Sequence, residues 1–65
     1  MNTLEDIILH LLKTLGTDDA ILSDNLQYLA MVHYDITEIE YKIAVDNLIK
    51  DDKIFIEGEL IYLIN

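Results

Sequence analysis

Carboxylates are the commonest reactive groups in this chain: thirteen Asp and Glu residues stand against four lysines and no arginine, a formal charge of −9. The adjacent pairs include Asp18 with Asp19 and Asp51 with Asp52. General acid–base work needs a carboxyl whose proton affinity a pocket has raised, and both pairs sit in polar, turn-forming stretches with no apolar wall beside them. Nucleophilic chemistry has less to draw on. The one serine, Ser23, stands at an expected helix start with no base and no orienting group in sight. His10 and His33 lack neighbouring thiols and any regular ligand spacing, so neither a metal nor a cofactor is expected, and His33 suits the negative end of a helix. These residues point away from catalysis and toward binding through a charged surface.

Sixty-five residues make one domain at most, 1–65, and a chain this short buries only about 60% of the surface it exposes when unfolded. With no cysteine to cross-link it, stability must come from a dense apolar core or from association, and 52% of the residues are hydrophobic. The expected partners are another protein and a second copy in a homodimer. The negative surface repels phosphate backbones and anionic lipids, which disfavours nucleic acid and membranes as partners. No run approaches the eighteen or so apolar residues of a membrane span, and Glu5 and Asp6 stand where a signal peptide would carry basic residues. The expected location is cytoplasmic.

The elements that must position these charges are legible from spacing. Thr3 and Asp6 form a capping arrangement ahead of Leu4, Ile7, Ile8, Leu11, Leu12 and Leu15, which recur on one helical face, with Leu9 off the stripe. This predicts a helix over about Leu4 to Leu15, closed by Gly16 in a left-handed conformation. "TDDA" is a turn, and "AIL" after it is compatible with a short strand and with the first turn of the next helix. From Ser23 as N-cap, Leu26, Leu29 and Ala30 predict a second helix to about Val32 or His33, with "HYD" as the turn. Thr37 and Glu40 form a full capping box, starting a third helix that runs to about Lys50. "KIFIE" and "ELIYLI" around Gly58 predict a β-hairpin. The fold class is mainly α with a C-terminal β-hairpin.

Three helices, an inward set of Tyr41, Ala44, Val45 and Leu48 on the third, and the run "DKIFIEGELIYLI" with Tyr62 and Ile64 in its second strand resemble the winged helix-turn-helix family over nearly the whole chain. The resemblance implies a third helix and a wing that together form a contact surface, and members use it on DNA, on proteins or for dimerisation. The short, acidic chain is also similar in style to reading frames of phages and archaeal viruses that disable a host factor.

Carried onto this sequence, that surface has the wrong sign for DNA. A helix in the major groove presents Arg, Lys, Asn or Gln. With Tyr41, Ala44, Val45, Leu48 and Ile49 inward, the outward side carries Ile39, Glu40, Lys42, Ile43, Asp46, Asn47 and Lys50. The wing tip has Glu57 and Glu59, and Lys13, Lys42, Lys50 and Lys53 are too few to offset the acids. Ile54 and Ile56 are placed toward the core with Tyr62, leaving Phe55, Ile61 and Leu63 on the other side of the hairpin to be covered by a partner or in part by helix 1. The expected partner-binding residues are therefore Ile39, Glu40, Ile43, Asp46, Asn47, Phe55, Glu57, Glu59 and Ile61. The expected function is that of a protein-binding regulator or antagonist imitating nucleic-acid charge. Two alternatives stand beside it, a dimeric DNA-binding transcriptional regulator and a structural subunit of an assembly. The bland readings are that the acids serve solubility alone and that Ile39 and Ile43 pack with Ile36 in the core.

Overall fold

The structure, a computed structural model, describes residues 3–64. Three helices, α1 (Leu4–Leu15), α2 (Ser23–Tyr34) and α3 (Glu38–Lys50), are joined by three strands, β1 (Ala20–Leu22), β2 (Ile54–Glu57) and β3 (Leu60–Leu63). The strands form one antiparallel sheet in the order β1-β3-β2. "AIL" is thus a strand, its Ile21 paired with Ile61.

Local chemistry sets the helix starts. Thr3 Oγ1 accepts from the Asp6 amide at 3.1 Å while an Asp6 carboxylate oxygen accepts from the Thr3 amide, and Thr37 and Glu40 repeat the arrangement ahead of α3. Each box satisfies two amides that a helix end leaves without partners. The start of α2 is made differently. Ser23 is not its N-cap but its first residue; Leu22 occupies the cap with no side-chain bond, and the Ser23 amide donates to the Glu59 carbonyl at 2.7 Å. The Gly58–Glu59 turn of the hairpin therefore ties the first amide of α2 to the sheet. α2 also runs to Tyr34, a turn-residue longer than expected, before Asp35 turns left-handed with φ 52°.

Aspartates make the sharp turns. Asp18, Asp19, Asp35 and Asp52 all have positive φ, a region that Asp enters more readily than most residues because its short side chain bonds locally. At Thr17–Ala20 two such aspartates in succession close a tight reversal, with Thr17 and Ala20 exchanging both backbone bonds. Gly16 was expected in the left-handed region and is instead extended, φ −72°, ψ 143°. It is required for space: a Cβ there would lie 2.3 Å from the Leu12 carbonyl oxygen and 3.0 Å from the Ala20 nitrogen. Gly58 does have the positive φ, 62°, at the first position of the two-residue wing turn.

The core is one cluster in which Ile8, Leu11 and Leu12 of α1, Leu26 and Ala30 of α2, and Tyr41, Ala44, Val45 and Leu48 of α3 close over Ile21, Ile54 and Ile61 of the sheet. The Gly58–Glu59 turn pairs Glu57 with Leu60, which puts Ile56 opposite Ile61 and Phe55 opposite Tyr62. Opposed residues share a sheet face, so the hairpin expectation is corrected: Ile61, 1% exposed, belongs to the core, Leu63 packs against it, and Tyr62 lies outward with Phe55. Ile56 points to the core side but lies past the helices' cover at 48% exposure. Ile49, expected inward, is also in solvent, since Leu48 and Val45 already fill the interior sector of α3.

Candidate functional surface

The register of α3 places its candidate residues where sequence spacing put them. Ile39 is 71% and Ile43 56% exposed, and being four residues apart they are neighbours on the helix surface. Ile36, not these two, packs against the core. Glu40, Lys42, Asp46, Asn47 and Lys50 are exposed as well. Lys42 Nζ lies 3.4 Å from Glu38 Oε1, one turn back, so part of its charge is directed along the helix instead of outward. Glu40 serves the α3 cap through the Thr37 amide at 2.9 Å, which gives it a structural duty beside any contact role.

Glu40, Ile43 and Asn47 form one wall of a shallow groove of about 280 Å³, completed by Ala44 and by Leu4 and Glu5 of α1. Leu4 and Glu5 were absent from the expected set. The spacing of α1 marks its core face and does not say which residues of α3 its first turn meets.

The hairpin residues form a second group. Phe55 and Tyr62 stack with ring centroids 4.8 Å apart and planes 6° from parallel. Their face of the sheet continues through Ala20, opposite Tyr62, and through Leu22 and Leu60, opposite each other, to Glu57. No element lies over it among the described residues, and Phe55 is 41% exposed. Glu57 and Glu59 stand exposed at the tip. Ile61 is removed from the candidate surface by its burial, and Tyr62, Leu22 and Leu60 take its place beside Phe55. The signal for this exchange was present: a two-residue turn at Gly58–Glu59 fixes the pairing, and alternation then assigns each face.

Chemistry inside the domain is confined to one group. The Tyr41 hydroxyl is buried with no hydrogen-bond partner among the described residues, and its pKa is pushed up to about 12, first by burial and then by the negative charge of Asp24. It is closed off from solvent and faces no substrate-sized space. No group of three or more His, Cys, Asp or Glu residues among those described could hold a metal ion, and no helix is long and apolar enough to cross a membrane. Further depressions lie along the α2 start with the Gly58–Glu59 turn, and beside β1 with Leu60 and Tyr62. What the arrangement offers is surface: exposed aliphatic and aromatic groups set among carboxylates.

Comparison of the chain with protein-family models, with curated proteins and with solved structures finds no match.

Proposed function

We propose that this chain is a small acidic winged-helix module that docks on another protein through the outward side of α3 and the wing, acting on it as a regulator or antagonist. The observation that supports this most is the exposure of Ile39 and Ile43 on a helix side that otherwise carries Glu40, Asp46 and Asn47. Two aliphatic side chains held in water one turn apart gain free energy when a partner covers them, while the surrounding acids repel phosphate. The layout fits a winged helix: a third helix leading into a C-terminal hairpin, with a short strand between the first two helices joining the sheet at β3. Docking on a basic cleft that otherwise holds nucleic acid would use the negative array directly, and the module would then compete with the nucleic acid. No catalytic role, cofactor or metal forms part of this reading.

Ile39→Ser with Ile43→Ser is the discriminating variant. Both positions are exposed, so unfolding free energy should change by no more than about 0.5 kcal/mol. Chemical cross-linking and affinity capture from cell extract should then show a partner bound by the wild-type chain and weakened about tenfold or more in the double variant, the scale expected of interface anchors. Equal capture by both chains would rule out α3 as the docking element. Collapse of the melting temperature would place the two isoleucines in the fold's own packing.

A further inference from the structure

The two edges of the sheet are not alike. In an antiparallel ladder, bonded pairs alternate with unbonded ones, so one known bond fixes the direction of every backbone group. The Ile64 amide donates to the Lys53 carbonyl, which sets residues 53, 55 and 57 toward β3 and turns the N–H and C=O groups of Ile54 and Ile56 to the open side of β2. On the opposite edge the outward groups of Ala20 are taken by Thr17, which donates to and accepts from it at 3.0 and 3.1 Å, and Leu22 is already the cap of α2. The chain thus closes the β1 edge with its own turn and leaves β2 open among the described residues. An open edge lined by exposed apolar side chains, here Phe55 and Ile56, is a template for another strand.

We infer that this edge pairs with β2 of a second copy, antiparallel about a two-fold axis at Phe55, giving one six-stranded sheet. The occupant is read from the charge pattern of the strand itself. The run Lys53-Ile54-Phe55-Ile56-Glu57 is self-complementary when reversed: Lys53 falls opposite Glu57 of the second copy, Ile54 opposite its Ile56, and Phe55 opposite its Phe55. The Ile54–Ile56 pairs are those whose backbone groups face outward in both copies, so both can exchange N–H···O bonds, and the Lys53–Glu57 and Phe55–Phe55 pairs fall at the unbonded positions where side chains come closest. On the outer face the Tyr62–Phe55 stack becomes a four-ring row, and on the inner face each Ile56 gains a neighbour for its uncovered side. The registers two residues to either side, which also pair outward backbone groups, set Lys53 or Glu57 opposite Phe55 and carry the other charge past the strand end. This interface takes Phe55 and Glu57 from the hairpin part of the proposed docking surface but no residue of α3, so substitutions on α3 separate its failure from that of the docking reading.

The test is sedimentation velocity of the full chain at about 0.15 M salt, where charges farther apart than about 8 Å are largely screened. The wild-type chain should dimerise. Lys53→Glu and Glu57→Lys, each of which sets like charges opposite at both symmetry-related positions, should each weaken the dimer about tenfold or more. The double variant K53E/E57K should regain it, and an equimolar mixture of the two single variants should form a heterodimer. Ile39→Ser with Ile43→Ser should leave it unchanged. A chain that is monomeric at all accessible concentrations, a dimer indifferent to both charge reversals, a double variant that stays monomeric, or a dimer broken by the α3 substitutions would each overturn the inference.

Discussion

The carboxylates divide by duty once each is seen in place. Asp6 and Glu40 complete capping boxes, Glu38 holds Lys42, and Asp18, Asp19, Asp35 and Asp52 occupy left-handed turn positions. Much of the acidity therefore has a local structural cause, and the part that bears on docking is narrower: Asp46 on α3 and Glu57 and Glu59 on the wing. Burial raises the proton affinity of Tyr41, and the sign of that shift yields a prediction. The unfolded chain loses the phenolic proton near the ordinary tyrosine value of 10.0, while the folded chain keeps it until about 12. Folding stability thus carries a component that is constant below pH 10 and falls as pH rises from 10 toward 12, by about 1 kcal/mol at pH 11, because ionising the buried phenol favours the unfolded chain. Tyr41→Phe removes this component and also removes a buried hydroxyl with no partner, so the variant should be as stable as the wild type, or more stable by about 1 kcal/mol, at pH 8. Urea midpoints of both chains at pH 8 and 11 check it; a parallel fall in both would contradict the assignment.

At the scale of elements, the two glycines should respond to alanine for different reasons. Gly16→Ala drives a Cβ against the Leu12 carbonyl and should cost about 2 kcal/mol, because backbone on both sides must yield. Gly58→Ala meets nothing within 4 Å and should cost about 1 kcal/mol from its left-handed φ alone. Thr37→Ala, which opens the α3 box, should cost about 1 kcal/mol. Thermal denaturation ranks all three, and equal effects at the two glycines would show that crowding at Gly16 is relieved by a small shift of α1. The features that spacing predicted well are those written within four residues: both capping boxes, the bounds of α1 and α3, the buried Tyr41, Ala44, Val45 and Leu48, and the exposure of Ile39 and Ile43. Those it missed depend on distant chain. Gly16 answers to Ala20 across the Thr17 turn, Ser23 is satisfied by Glu59 of the wing, and Ile49 is outward because its neighbours already fill the core. The hairpin faces are an intermediate case, since the turn determined them and only the pairing arithmetic was needed to place Ile61 inside and Tyr62 outside.

Over the whole molecule, a charge of −9 is spread across a body of about 26 × 22 × 21 Å, with apolar groups left uncovered on α3 and on the outer face of the sheet. The proposed partner, a basic polypeptide that brings apolar side chains, follows from that combination, as does the proposed exclusion of a duplex. The helix that a winged helix would lay in the major groove offers Lys42 already drawn to Glu38, Asn47 in a groove beside Glu5, and Lys50 at its end. The central claim is that α3 and the wing are built to meet protein and to exclude nucleic acid. Fluorescence anisotropy of a labelled random-sequence duplex titrated with the purified chain at low salt, where phosphate contacts are strongest, tests it most directly. The anisotropy should stay flat up to the highest protein concentration. A saturable rise that salt abolishes, and that Lys42→Glu or Lys50→Glu weakens, would contradict it.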